Sequence, residues 1–259
     1  MRCAVVGHVE WVEFARVPEQ PRAGSIVHAT EVWSEPAGGG AVVARQLARL
    51  AGRCEFFTAL GDDELGHESA RRLAALGIDV HAVYAGATRR AWTHVDDAGE
   101  RTITVLGDKL LPRGPLPLDG YDAVFFVAGD VEALRSAARA RMVAATLRER
   151  PTLVEAGVPL TLLVGSLNDA GEQFDESLDA SIVVLTDGAA GGTINGERYA
   201  AAELPGEIAD AYGAGDSFAA ALLYGLARGD DFYDALRLAT RAGAAVITGR
   251  GPYTAQLTS

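Results

Sequence analysis

Lysine is almost absent from this 259-residue chain, in which Lys109 is the only lysine among 23 basic residues. A P-loop for nucleotide phosphates requires a lysine between a glycine and a Ser or Thr. Lys109 instead follows Asp108 and precedes Leu110, which excludes that type of site. Acidic residues number 35, and the net charge is −12. This balance argues against nucleic acid or an anionic membrane as the main partner, because both bind basic surfaces.

Cysteine is also scarce, and long apolar runs are missing. Cys3 and Cys54 are too few for a disulfide framework, and neither they nor the five histidines show a metal-binding spacing. Polar residues at Arg2, His8 and Glu10 do not fit a secretion signal. Apolar runs stay below the ~18 residues of a membrane span. We therefore expect reduced cysteines and a cytoplasmic protein without a membrane partner.

Short β-like runs alternate with helical periods along most of the chain, which predicts an α/β fold with a mostly parallel sheet covered by helices. The length and a hydrophobic content of 49% fit a single domain over residues 1–259. Residues 142–146 fit either a strand or a helix end. The predicted strands are 3–7, 26–33, 54–60, 123–127, 160–165 and 181–186, with a hairpin at 191–200, and the predicted helices follow the glycines at 38–40 and cover about 64–76, 131–140, 215–228 and 231–248.

Residues 79–106 interrupt this alternation with strand-like pieces at 80–84, 91–95 and 102–106. The cluster Asp97-Ala-Gly-Glu100 is typical of a hairpin turn. A run of strands without helices predicts a small sheet set apart from the main body. We expect a lid built from segments at about 8–36 and 86–106.

The stretch Asp210-Ala-Tyr-Gly-Ala-Gly-Asp216 runs into an apolar helical segment. Gly213 and Gly215 allow a tight turn and leave backbone N–H groups uncovered. The following helix N-terminus adds free N–H groups and a positive dipole end, which favours an anion. Asp216 lies in the first turn, where its carboxylate can accept a proton from a hydroxyl group. The alternative is an ordinary glycine turn in which Asp216 is a helix-start acid.

This stretch resembles the second signature of the ribokinase-like (PfkB) carbohydrate kinases, Asp-Thr-x-Gly-Ala-Gly-Asp, and departs from it only at Ala211, where Thr is usual. The resemblance implies a three-layer α/β/α sandwich with a mostly parallel central sheet and a small β lid. It implies that Asp216 is the catalytic base. It also implies that Gly213, Ala214, Gly215 and the amide of Asp216 stabilise charge on the transferring phosphate.

Further segments similar to this family occur in the family's order along nearly the whole chain. Each segment is weak evidence alone, but their order and spacing together are specific. The resemblance implies that Gly38 and Gly39 contact the acceptor and that Thr186, Gly188 and Gly191 line the ATP side. The segments are Gly38-Gly39-Gly40 before a helix ending in Ala48–Gly52, Gly61–Gly66, Leu76–Asp79, Gly99–Thr102, and Thr186-Asp187-Gly188 followed by Gly191.

Asp169 and Glu172 follow a predicted strand at the position where the family has Asn-x-x-Glu beside the magnesium-bound phosphates. Asn168 is one residue away from that spacing, so Asp169 is preferred for the Asn position. Carboxylates suit Mg²⁺, which is often held through its waters. The alternative is a helix N-cap followed by a first-turn acid.

The acceptor side departs from the family pattern. An Asp that grips sugar hydroxyls is usual five residues after the first-strand glycine, where this chain has Val12. Glu10 could replace it, because side chains two apart on a strand share a face. Glu13 is the other candidate, on the opposite face. The Asn of the first signature falls at Val43, so we expect a less polar acceptor site to which Val43 contributes.

These observations predict an ATP-dependent kinase that phosphorylates a hydroxyl of a sugar-like small molecule. The resemblance implies Mg²⁺, with Glu172 acting through water, and in some members K⁺, for which Asp210 would be a ligand. It also implies a homodimer formed through the lid. Alternatives are a nucleoside kinase of the same fold and a non-catalytic ligand-binding homologue. The sequence does not identify the acceptor.

Overall fold

The computed structural model describes residues 1–172, 174–175 and 177–258, so the last residue of the predicted domain lies outside the description. In chain order the strands are β1 (Cys3–Val6), β2 (Glu10–Arg16), β3 (Glu31–Ala37), β4 (Cys54–Leu60), β5 (Ile78–Tyr84), β6 (Arg90–Val95), β7 (Arg101–Leu106), β8 (Ala123–Phe126), β9 (Met142–Thr146), β10 (Leu160–Ser166), β11 (Ala180–Thr186), β12 (Gly192–Ile194) and β13 (Glu197–Tyr199). The α-helices are α1 (Gly39–Ala51), α2 (Glu64–Ala75), α3 (Val131–Ala137), α4 (Arg150–Ala156), α5 (Ala214–Arg228) and α6 (Phe232–Val246).

The main sheet has the strand order β13-β12-β11-β10-β9-β8-β1-β4-β5. Its strands pair in parallel except at one edge, where β12 and β13 are antiparallel. Because successive strand residues face opposite sides, β1 contributes Val5 to one core and Val6 to the other. Helices α1, α2, α5 and α6 cover the first core, and α3 and α4 cover the second. The predicted α/β class with a mostly parallel sheet between helical layers is confirmed.

A separate four-stranded sheet has the order β3-β2-β6-β7 and is called the lid sheet below. It contacts the main body through a small apolar cluster in which Val12 and Phe14 meet Val42, Tyr212 and Tyr253. The stacking of Phe14 on Trp33 extends this contact, with ring centroids 4.8 Å apart. The lid sheet is therefore packed on the body beside the second glycine motif.

The prediction that residues 80–84 belong to the separate sheet is wrong. They form most of β5, which pairs in parallel with β4, Ile78 lying opposite Cys54. Helix α2 supplies the crossover that parallel neighbours require. Sheet membership depends on this non-local pairing, which a strand-like pattern alone does not reveal.

The strand predicted at 26–33 is displaced and runs from Glu31 to Ala37. Its partner sets its extent, because β2 ends at Arg16, which lies opposite Glu31. Pro36 is tolerated because β3 lies at the edge of the lid sheet, where a missing N–H costs no ladder bond. The ambiguous residues 142–146 form strand β9 inside the main sheet. Within the described ranges, no helix is long and apolar enough to cross a membrane.

Candidate active site

Most of the predicted site residues gather at the carboxyl ends of the parallel strands, where open α/β sheets bind ligands. Gly7 and His8 follow β1, and Glu172 follows β10. The N-termini of α1 and α5 face the same region, since Gly39 of α1 lies against Asp216 of α5. Segments distant in sequence therefore meet at one edge of the sheet.

Helix α5 begins with uncovered backbone donors. Gly213 precedes it with φ 83°, and a Cβ there would lie 2.9 Å from Val42 Cγ1, so glycine is required. Glycine has no side chain to cap the first turn, and the N–H groups of Ala214, Gly215 and Asp216 have no intrahelical acceptor. A Cβ added to Gly215 would meet only open space. These donors and the helix dipole form a site for negative charge.

Asp216 places its carboxylate beside these donors. Its Oδ1 lies 3.0 Å from the position that a Cβ on Gly39 would take. Its pKa is raised from 3.8 to about 6, mainly by burial and also by the charge of Glu172, whereas the charges of Arg101 and Arg148 oppose the rise. A carboxylate with this pKa is ionised at neutral pH and is still basic enough to accept a proton.

The predicted ATP-side residues lie at the end of β11 and in the turn that follows it. Thr186 Oγ1 donates to the carbonyl of Gly165 at 3.2 Å. Gly188 and Gly191 have positive φ angles of 54° and 87°. A Cβ at Gly191 would collide with the carbonyl oxygen of Tyr199, whereas a Cβ at Gly188 would meet only open space. The turn therefore leaves exposed backbone next to β10 and its following loop.

Asp169 and Glu172 share one arginine. Arg148 Nε lies 3.1 Å from Glu172 Oε1, and Arg148 Nη2 bonds Asp169 Oδ2. The other oxygen of Glu172 accepts the N–H of Ser166 at 2.9 Å. Burial raises the pKa of Glu172, and the charge of Arg148 opposes that rise. Arg148 lies in the short helical turn Leu147–Glu149 after β9, and sequence reasoning did not single it out.

The acceptor side contains three polar side chains around Gly38. Glu10 is buried, and Arg89 Nε lies 3.1 Å from Glu10 Oε1. A Cβ on Gly38 would lie 3.3 Å from the His8 ring. Burial lowers the pKa of His8 to about 3, and the charge of Lys109 adds to this effect, so the imidazole is neutral. His8 Nδ1 and Arg89 Nη1 lack hydrogen-bond partners among the described residues.

The remaining acceptor candidates lie elsewhere. Val43 is 1% exposed and packs in the core between α1 and the main sheet, which gives no support to a substrate contact. Val12, which stands where the family has an Asp and was not itself a candidate, packs in the contact between the lid sheet and the body. Glu13 alternates with Glu10 along β2, so it points to the other face, where it bonds Arg90.

Asp210 is completely buried at the start of the second motif. Its Oδ1 accepts the N–H of Tyr212 at 2.9 Å, and its Oδ2 accepts the N–H of Gly251 at 3.1 Å. Tyr212 in turn connects the two glycine motifs, because its hydroxyl oxygen accepts the N–H of Gly38 at 3.1 Å. Asp210 therefore holds the loop that leads into α5.

Arg89, Arg101 and Arg148 were not identified as site residues from the sequence. Arg148 belongs to the basic cluster at 135–150, which is typical of a solvated helix face. Lys109 did give a signal in the sequence, because it is the only lysine among 23 basic residues. Its Nζ lies 2.7 Å from Glu149 Oε1, next to Arg148 in the chain, and its charge acts on His8.

Comparison with known proteins identifies close matches in sequence and fold. The chain is 26% identical to the bifunctional protein HldE of Bradyrhizobium diazoefficiens, over 92% of the chain and 57% of that protein. It therefore spans little more than half of HldE. It is 27% identical to an ATP-dependent ribose-1-phosphate kinase of Halopiger xanaduensis, over 94% and 91% of the two chains.

The fold matches that of ribokinase from Cryptococcus neoformans var. grubii serotype A in complex with ADP. The TM-score is 0.77 with 22% identity, and the match covers 99% of this chain and 96% of that one. The ribokinase-like fold expected from the motifs is therefore confirmed. The family model of the pfkB family carbohydrate kinases matches residues 1–150 and 151–258. The chain thus belongs to the pfkB family of carbohydrate kinases, which are phosphotransferases.

Proposed function

We propose that this sugar or nucleoside kinase of the pfkB family transfers the γ-phosphate of ATP to a hydroxyl group of a sugar or sugar derivative. One observation carries the proposal. The carboxylate of Asp216 lies at the uncovered N-terminus of α5 and against the glycine turn of α1. A base and a set of anion-binding donors therefore face the same space, as phosphoryl transfer requires.

Asp216 acts as the general base. Its carboxylate accepts the proton of the acceptor hydroxyl as the new O–P bond forms and the bond between the γ-phosphorus and the bridging oxygen of ADP breaks. Burial keeps the pKa of Asp216 near 6, which suits a base that works at neutral pH. Positioning of the hydroxyl against this carboxylate contributes further to the rate.

The backbone N–H groups of 214–216 stabilise the negative charge of the transferring group. These donors are fixed by the helix and by Gly213, so they require no rearrangement during the reaction. Thr186, Gly188 and Gly191 bind the nucleotide side, which is supported by the open backbone of the turn after β11.

Asp169 and Glu172 fit a magnesium ion that keeps its waters, because both are carboxylates and they lie together, although the ion would compete with the Arg148 guanidinium that pairs with both. They would hold the ion, through water in the case of Glu172. The ion supplies neutralisation of phosphate charge when bound. Arg148 pairs with the same carboxylates, and a guanidinium is the kind of group that also binds phosphate oxygens.

Glu10, Gly38 and Gly39 bind the acceptor, with His8 and Arg89 beside them. The unpartnered nitrogens of His8 and Arg89 give the site donors or acceptors for ligand oxygens. The lid sheet covers this region and excludes water, which would otherwise compete as phosphoryl acceptor. The similarity to a ribose-1-phosphate kinase supports a sugar or a sugar phosphate as acceptor.

A nucleoside is the second candidate acceptor, favoured by the apolar part of the lid sheet. Val105 lies opposite Ala91, and Ala91 lies opposite Val12, so these residues share the face that carries Glu10. Val105 and its neighbour on that face, Ile103, remain partly exposed at 41% and 39%. Such side chains suit a flat apolar ring.

A coupled ADP-release assay tests the proposal over free sugars, sugar phosphates, polyols and nucleosides. We expect ADP release with at least one sugar or sugar phosphate, whereas release with nucleosides alone would favour the second candidate. Asp216→Asn should lower turnover by about 10²-fold or more while ATP still binds. Asp119→Asn, which alters an exposed carboxylate, is the matched control.

Binding of sugar and ATP without ADP release over the whole panel would indicate a non-catalytic homologue instead. Full activity of Asp216→Asn would refute the assignment of the base. A homodimer through the lid and a cytoplasmic location stay predictions.

A further inference from the structure

The loop before the anion-binding N-terminus of α5 is held by two arginines of the lid sheet. Arg101 Nη1 donates to the carbonyl oxygen of Ala211 at 2.8 Å, and Arg16 Nη1 donates to that of Ala209 at 3.2 Å. Arg101 begins β7 and Arg16 ends β2, so both belong to one end of the lid sheet. The second glycine motif is therefore attached directly to the lid.

The hairpin turn before β7 adds a third contact with the same loop. The carbonyl of Gly99 accepts the N–H of Ala211 at 2.9 Å. A Cβ on Gly99 would collide with Ile208, so glycine permits this close approach. Both backbone groups of Ala211 thus bind the lid, the N–H to Gly99 and the carbonyl to Arg101.

This arrangement does not fit the monovalent cation for which Asp210 was a candidate ligand. A hard cation needs several oxygen atoms that no positive group already occupies. Both carboxylate oxygens of Asp210 accept backbone N–H groups. The carbonyl oxygens on either side of Asp210, those of Ala209 and Ala211, accept hydrogen bonds from the guanidinium groups of Arg16 and Arg101. A cation at this loop would lie beside two fixed positive charges and would be repelled.

The positive charges of Arg101 and Arg16 act on the Asp210 carboxylate, as a cation bound at this loop would. Burial raises the pKa of Asp210, and the positive charges of Arg101 and then Arg16 lower it. The charge of Arg101 also lowers the pKa of Asp216. The guanidinium carbon of Arg101 also lies 5.8 Å from the ring centroid of Tyr212, the residue that follows Ala211. One side chain thus joins the lid to the loop by contact and acts on the candidate base through its charge.

We propose that Arg101 is a positioning residue that takes the place of a monovalent cation at the 209–212 loop and holds the anion-binding turn while the lid is packed on the body. The proposal rests on the proposed function for its effect on turnover. Its effect on the folded loop does not depend on that function. It predicts a protein that gains nothing from K⁺.

Thermal unfolding tests the proposal without any substrate. The wild-type protein should unfold at the same temperature in KCl, NaCl and tetramethylammonium chloride of equal ionic strength. Arg101→Ala should unfold at a lower temperature, and KCl or ethylguanidinium should restore part of the loss. Restoration is expected because Arg101 is exposed, which leaves its place accessible to small cations once the side chain is removed. Arg22→Ala is the matched control, since Arg22 is an exposed arginine in the loop between β2 and β3.

Turnover provides a second, separate readout once an acceptor is known. Arg101→Ala should lower kcat by about 10²-fold, because small displacements of a positioned group have effects of this size. The KM for the acceptor should change less than kcat. Arg101→Lys should recover part of the rate and stay insensitive to K⁺. If Arg101→Ala does not fold, Arg101→Lys and the wild-type salt series still decide the question.

Stabilisation of the wild-type protein by K⁺ over tetramethylammonium would overturn the proposal, because it would reveal a cation site. An Arg101→Ala variant with unchanged unfolding temperature and no response to cations would also overturn it. A failure of every acceptor in the ADP-release assay would contradict the proposed function and leave the unfolding result intact, so the two failures are distinguishable.

Discussion

The carboxylate of Asp216 lies against the backbone of Gly39, with Oδ1 3.0 Å from the place of a Cβ on that glycine. The two residues belong to the first turns of α5 and α1. Tyr212 strengthens the same contact between motifs through its bond to the N–H of Gly38. The two glycine motifs are therefore one structural unit, in which the first leaves room for the carboxylate of the second.

Gly39→Ala should separate activity from stability. The added methyl group would press on Asp216 Oδ1 and on Val127 Cγ1, at 3.0 and 3.1 Å, and would displace the carboxylate. We expect turnover to fall by about 10²-fold. The free energy of unfolding should change by less than about 1 kcal/mol, because alanine favours the helix and offsets the tight contact.

Gly206→Ala is the control for that variant, because its Cβ would meet its nearest neighbour, Thr248, at 3.8 Å. Steady-state kinetics and denaturant unfolding measure the two effects. Equal activity of Gly39→Ala and wild type would show that Asp216 works in another position.

The pH dependence of kcat/KM should report the candidate base. The pKa of Asp216 is raised to about 6, mainly by burial, and the carboxylate must be ionised to accept a proton. The rate should therefore rise about tenfold per pH unit below pH ~6 and become constant above it. An acidic limb near pH 4 would contradict a raised pKa of Asp216. An acceptor without an ionisable group keeps titration of the acceptor out of the profile.

Burial of the same carboxylate should cost stability. The pKa is higher in the folded protein than the ordinary value of 3.8, so the folded state binds the proton more tightly. Ionisation therefore lowers the free energy of unfolding as pH rises from about 4 to 6. We expect Asp216→Asn to unfold at a higher temperature than wild type above pH 7, and this difference should shrink toward pH 4. Asp119→Asn should show no such trend, and a pH-independent difference for Asp216→Asn would contradict the reasoning.

The features that could be predicted from the sequence are those that depend on a few neighbouring residues. The candidate anion-binding turn at Gly213–Asp216 depends on glycine conformation and on a helix start, both encoded within a few residues. The strand-like residues 80–84 were predicted correctly as a strand but were assigned to the wrong sheet, because their partner β4 lies across a helix.

The contacts of Arg101 and Arg148 could not be predicted either, because their partners are distant in the sequence. Arg101 binds Ala211 across 110 positions, and Arg148 binds Asp169 across 21. Neither pair has a spacing that a helix or strand would make recognisable. Asp216 could be proposed as a site residue because its motif is continuous, whereas these partners are defined only by the fold.

Tyr212→Phe should weaken the connection between the two motifs. The variant leaves the buried N–H of Gly38 without its acceptor, a loss that typically costs about 1–3 kcal/mol. We expect a lower unfolding temperature and a higher KM for the acceptor, because Gly38 lies beside His8 and Glu10. Tyr233→Phe, at a side chain 73% exposed, is the control. Unchanged stability of Tyr212→Phe would indicate that water or another group satisfies Gly38.

Arg148→Gln should change the response to Mg²⁺. The guanidinium pairs with Asp169 and Glu172, and its removal leaves both carboxylates without this positive charge. A Mg²⁺ titration at fixed ATP should reach half-maximal rate at a several-fold lower concentration, since an electrostatic gain of about 1 kcal/mol corresponds to that factor.

The same variant should lower the maximal rate and move the acidic limb to higher pH, because the charge of Arg148 opposes the raised pKa of Asp216. Arg150→Gln is the matched control, since Arg150 pairs with Asp175 outside this cluster. An unchanged or higher Mg²⁺ requirement for Arg148→Gln would show that Asp169 and Glu172 do not hold the ion.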